Sequence, residues 1–96
     1  MSEQPQAASS VPPGWAERDG ALHISYETGD FVTGLRLVNK IGEAAEAAGH
    51  HPDITLTYPE VAIRLLSHDV DAVTDRDTQL ATRISEIAAE LGIDRA

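Results

Sequence analysis

Cysteine is absent from the 96-residue chain, which excludes disulfide staples and thiol catalysis. Aromatic residues are scarce, with one Trp, one Phe and two Tyr, so the core must be built from Leu, Ile, Val and Ala. Cations are few as well: 7 Lys and Arg stand against 16 Asp and Glu, a formal charge of −9. Such a surface repels phosphate backbones and anionic membrane, and no basic stripe overrides it. Direct nucleic-acid binding and membrane docking are therefore not expected. No apolar run approaches the roughly 20 residues a membrane-crossing helix needs. The opening MSEQPQAASSVPPGW lacks the charged and apolar regions of a secretory signal, and a cytoplasmic protein is the expectation.

What is present suits one small domain, 96 residues being too few for two. Residues 1–11, rich in Ser, Gln, Ala and Pro, read as a disordered tail, and residues 12–96 as the domain. Arg18-Asp19-Gly20 is a hairpin turn between strands at 15–18 and 21–26, the second alternating apolar and polar residues. Asp30 is placed as an N-cap. Phe31, Leu35, Val38, Ile41, Ala45 and Ala48 then recur at helical spacing. Gly49 and Pro52 end that helix. Ile54, Leu56 and Tyr58 alternate with Thr55 and Thr57 as a third strand, and residues 61–68 read as a fourth. Thr74 to Asp77 resembles a capping box ahead of a second helix with Leu80, Ile84, Ile87 and Leu91 on one face, stopped by Gly92. The order is ββαββα, an α+β fold. Two helices cover one face of a four-stranded antiparallel sheet, leaving the other to solvent, ligand or a partner subunit.

Two of the 4 histidines are adjacent, in Ala48-Gly49-His50-His51-Pro52-Asp53, where helix gives way to strand. His68 closes the fourth strand, so three imidazoles fall at the margins of adjacent strands. Imidazole gives and takes protons near neutral pH, and two or three around one cleft suit general acid–base chemistry on a small molecule. Glu46, one helical turn before His50, is placed to orient it. The plainer reading of a histidine at a helix end is a cap or dipole partner. A metal site fits less well: adjacent residues in extended chain point to opposite sides, and no Cys or second carboxylate completes a ligand set. His23, between Leu22 and Ile24 but facing away from them, reads as a solvent or interface residue.

The run Glu46, His50-His51-Pro52, Tyr58, His68, Asp77 resembles the signature of the pterin-4a-carbinolamine dehydratases in residue type and spacing. Pro13-Gly14-Trp15, Ser67-His68-Asp69 and Thr74-Asp75-Arg76-Asp77 with Leu80-Ala81 extend the resemblance over residues 12–91. It implies two helices on a four-stranded antiparallel sheet, and dimers formed through the sheet edge, in some members tetramers. The implied reaction is loss of water from a 4a-hydroxytetrahydropterin to give the quinonoid dihydropterin, which recycles tetrahydropterin cofactor. No metal or organic cofactor is implied. The implied catalytic residues are His50, His51 and His68, with His51 and His68 exchanging protons while His50 hydrogen-bonds the pterin. Substrate-binding or supporting roles fall to Glu46, Asp77, Trp15, Pro52 and Asp69. Asp77 is equally well placed as a plain helix-start residue, and Trp15 as a plain core aromatic.

The chain departs from that pattern in three places. Ile54 stands where an aromatic is usual, Asp71-Ala72-Val73 replaces a glycine-rich loop, and His23 replaces an Arg. Losing glycines stiffens the loop and adds charge beside the site. The resemblance also implies an alternative, a catalytically silent dimeric interaction module of coactivator or assembly-factor type. The altered loop leaves room for a third, a dehydratase acting on a folate-type or molybdopterin-related pterin.

Overall fold

The structure, a computed structural model, describes residues 11–96. The chain runs β1 (Ala16–Arg18), β2 (Ala21–Glu27), α1 (Phe31–Ala48), β3 (Asp53–Leu56), β4 (Glu60–Leu65), α2 (Asp75–Glu90) and β5 (Asp94–Arg95). The sheet order is β1-β2-β4-β3, antiparallel throughout, with β5 added beside β2. The α+β fold expected from the sequence is what forms, with one extra strand. Of the expected tail, residues 1–10 lie outside the described residues, while Val11 packs partly buried against the core.

Local chemistry explains each boundary. Asp19 and Gly20 both have positive φ, at 54° and 77°, which a two-residue hairpin turn between twisted strands requires. The Asp30 carboxylate accepts the Thr33 N–H at 2.9 Å and starts α1. Gly49 ends it at φ 65°, a left-handed conformation cheap for glycine alone. β3 stops at Leu56, short of Tyr58, because Thr57 and Glu60 bond each other reciprocally around Tyr58-Pro59. β4 stops at Leu65 rather than at 68, and Ser67 pairs with Ala72 as an isolated bridge. β5 pairs with Tyr26 and Glu27 at the far end of β2.

The core lies between the sheet and the helices. Leu22, Ile24 and Tyr26 from β2 and Val61, Ile63 and Leu65 from β4 alternate into it, the period-two pattern of a half-covered sheet. Leu80, Ile84 and Ile87 of α2 are buried as their spacing predicts, and Leu91 is partly buried. The face of α1 is a correction. Its buried residues are Gly34, Leu37, Ile41 and Ala45, whereas Phe31 and Leu35 stay 49% and 42% exposed and Ala48 is also outside. Both stripes step by three and four and share Ile41 and Ala45, so periodicity alone could not choose between them. Gly34 decides it, because a Cβ there would sit 2.7 Å from Leu56 Cδ1 and 3.3 Å from Val61 Cγ2. The helix seats its glycine against the sheet.

Candidate functional site

Three chain segments converge at one end of the sheet. The first is the α1 terminus. With Gly49 left-handed, the His50 N–H returns to the Ala45 carbonyl at 3.2 Å, and the imidazole turns inward, leaving the residue 9% exposed. There Nε2 donates to Asp77 Oδ1 at 2.6 Å.

Asp77, the third residue of α2, has no exposed surface. Its other oxygen, Oδ2, accepts the Thr74 N–H and the Ser67 hydroxyl, each at 2.8 Å. The Ser67 hydroxyl, its hydrogen committed to Asp77, accepts from Thr74 Oγ1 at 2.7 Å. Asp77 is thus both the return arm of the α2 capping box and the partner of His50. A buried carboxylate is tolerated where its lone pairs are filled, and three donors fill these. The carboxylate also decides the imidazole tautomer: Nε2 carries the proton, leaving Nδ1 as the remaining hydrogen-bonding atom.

His51 is exposed and its Nε2 lies 2.6 Å from Glu46 Oε2, in a pair 63% and 78% exposed. The expectation that Glu46 would serve His50 is corrected: Glu46 serves His51, and His50 takes its carboxylate from α2. His68 enters from the loop after β4, exposed, beside the fully buried Ser67. That loop closes tightly, with the Ser67 N–H on the Ala72 carbonyl at 2.9 Å. Asp71 adopts φ 54°, a conformation Asp tolerates better than most side chains. Asp69 pairs with Arg76 at 2.7 Å. The Arg76 hydrogen bond holds the Asp69 carboxyl below its ordinary 3.8.

His50, His51, His68, Asp69, Arg76 and Gly49 line one cleft of about 330 Å³, within the usual range for a small-molecule site. Asp77 stands behind His50 and Glu46 beside His51. Pro52 follows His51 and is half-buried, outside the lining. Trp15 lies apart from the cleft. It is a core residue, 6% exposed, whose indole N–H donates to Ser85 at 3.0 Å. Nothing in the sequence marks Arg76 and Ser67 as site residues; only contact with Asp69 and Asp77 reveals their part. His23 lies on the uncovered face, its Nε2 3.3 Å from the Arg18 carbonyl. Among the described residues, no helix is long and apolar enough to cross a membrane.

Fold and cleft together define a small α+β domain that presents histidines from two strand margins to one pocket, one of them backed by a buried carboxylate. The family described as Pterin 4 alpha carbinolamine dehydratase matches residues 1–87, and the chain belongs to that family. A protein of Koribacter versatilis (strain Ellin345) is 49% identical over 82 residues, covering 85% of this chain and 87% of its own. One of Nostoc punctiforme is 42% identical, covering 85% and 88%. Both carry the provisional name pterin-4-alpha-carbinolamine dehydratase. Among solved structures, a transcriptional coactivator/pterin dehydratase from Brucella melitensis superposes with a TM-score of 0.77 at 28% identity, covering 85% of this chain and 88% of that one. A pterin dehydratase-like assembly factor for RuBisCO in the alpha-carboxysome superposes at 0.63 with 17% identity, covering 77% and 86%. The second likeness is one of fold.

Proposed function

We propose that the protein dehydrates a 4a-hydroxytetrahydropterin to the quinonoid dihydropterin by histidine acid–base catalysis. The observation that carries this reading is the meeting of His50, His51 and His68 in one cleft of ligand size. In the reaction the C4a–O bond breaks and the hydroxyl leaves as water after taking a proton from an imidazolium. The ring N–H gives its proton to a neutral imidazole as the C=N bond forms. The two transfers leave the protein's proton count unchanged, and the loss of water exchanges no electrons with any other species.

The surroundings of the three rings support a division of labour. His50, buried and fixed by Asp77, positions the pterin through Nδ1. His51 and His68 are exposed, free to exchange protons with substrate and water, and Glu46 orients His51. Asp69 and Arg76 form the charged rim. Purified protein should accelerate loss of water from 4a-hydroxytetrahydropterin, and His51→Ala or His68→Ala should slow it by about 10²-fold or more. A wild-type rate equal to buffer would refute the reading.

A second reading has its own observation. Phe31, Val32 and Leu35 leave an exposed apolar strip on α1, on the element that packs against edge strand β3. Such a strip beside an open strand edge suits a dimeric interaction module. A stoichiometric partner recovered together with absent dehydratase activity would favour it. Homodimers or homotetramers are compatible with both readings.

A further inference from the structure

A second cavity adjoins the cleft at the ring of His50. It runs between α1 and α2, has a volume of about 150 Å³ and shares both His50 and Arg76 with the cleft. Its remaining walls are Ala44 and Ala48 from α1 and Gln79, Leu80 and Arg83 from α2. At that size it falls below the ~300 Å³ of a complete small-molecule site and suits an appendage of a ligand whose ring system occupies the cleft.

The walls also specify what kind of appendage. Two alanines keep the space open, and Leu80 with the alanine methyls gives carbon a place to lie. Among the described residues no Asp or Glu lines the groove, although the chain has 16 of them, while Arg76 and Arg83 are two of its 7 Lys and Arg. Arg83 meets Glu86 and Glu90 at 3.2 and 3.5 Å, all three side chains about half exposed or more. Ion pairs of that exposure are weak enough for a ligand anion to displace. Arg76 is held to Asp69 from the cleft side, and its guanidinium has donors to spare.

We propose that this groove receives the substituent of the pterin ring and selects one ending in an anion, a carboxylate or a phosphate. The proposal rests on the pterin reading of the cleft. His50 stands at the junction, so the ring it positions and the substituent beyond it are read by one residue. Gln79 supplies a neutral partner along the way, and Arg83 the charge at the far end.

The test is fluorescence titration of the full chain with three pterins: 6-hydroxymethylpterin, its phosphate ester and pterin-6-carboxylate. At low salt at least one anionic pterin should bind about tenfold tighter than the neutral one, and the preference should shrink as salt screens it. Arg83→Gln should remove most of the preference, and which anion gains more identifies the terminal group. Ala48→Leu, at an exposed position, should weaken these three pterins relative to unsubstituted pterin, titrated alongside as the reference, by filling the groove. Measurable binding with no preference among the three would overturn the groove assignment and leave the cleft reading intact. An undiminished preference in Arg83→Gln would overturn it equally. Absence of binding by every pterin would overturn both readings.

Discussion

Replacing Asp77 by Asn separates the two tasks of that side chain. The carboxylate accepts from His50, Ser67 and Thr74, whereas an amide offers one acceptor oxygen and one donor NH₂. Two orientations compete. With NH₂ toward Thr74, two N–H donors face each other in a buried site and the α2 cap is lost, costing about 2–4 kcal/mol. With the oxygen toward Thr74 and Ser67 both of those bonds survive, and NH₂ meets His50 Nε2. The ring must then accept there, which moves its proton to Nδ1. The second orientation wins. It costs only the charge assistance of the three bonds, partly offset by the lower desolvation cost of an amide, about 1–3 kcal/mol in all, or a Tm drop of roughly 5–20 °C for a domain this small.

The same substitution also has a catalytic consequence. In the proposed reaction Nδ1, the atom offered to the pterin, changes from acceptor to donor, and kcat/KM should fall about 10- to 100-fold. Nitrogen-15 NMR of the imidazoles reads the tautomer directly, denaturant melts give the stability, and steady-state dehydration gives the rate. An Asp77→Asn protein with wild-type kcat/KM and the proton still on Nε2 would refute the argument. Asp77→Ala, which leaves His50 buried without its partner, should cost about 3–5 kcal/mol.

Three further outcomes are expected. Glu46→Gln should change stability by less than about 0.5 kcal/mol, since its pair with His51 is mostly exposed. Its dehydration rate should nevertheless fall several-fold if Glu46 orients His51. Trp15→Phe should lose about 1 kcal/mol with the Ser85 bond and leave pterin affinity unmoved, as titration would show; a loss of affinity would put Trp15 back in the pocket. Asp30 titrates below its ordinary 3.8, chiefly through its hydrogen bond with Thr33. A lowered folded pKa contributes stability above 3.8 that is lost as pH falls through the folded value. Asp30→Ala should therefore have a lower Tm than wild type at pH 7, with the gap narrowing below about pH 3.8.

Much of the framework was legible because it depends on near neighbours. Asp19-Gly20, Asp30 and Gly49 each act within one turn of chain, so their caps and turns could be read directly. The buried face of α1 could not, since two stripes share Ile41 and Ala45 and the choice lay with Leu56 and Val61 packing on Gly34. β5 is two residues long, too short for any pattern, and exists only because β2 offers it an edge. In the site, Gly49 and Pro52 marked the histidine pair as the end of a helix, yet nothing local assigned the carboxylates. Glu46 and His51 are five residues apart, and His50 and Asp77 are 27 apart.

The amino-acid order alone determined the ββαββα succession up to α2, the acidic surface and the positions of three imidazoles at strand margins, because periodicity, charge and capping act over a few residues. Only the tertiary structure decided which carboxylate His50 and His51 each received, that Trp15 belongs to the core, and that Ser67 and Arg76 border the site. Those outcomes depend on where α2 comes to rest against the end of α1, and packing between distant segments leaves no local mark in a sequence.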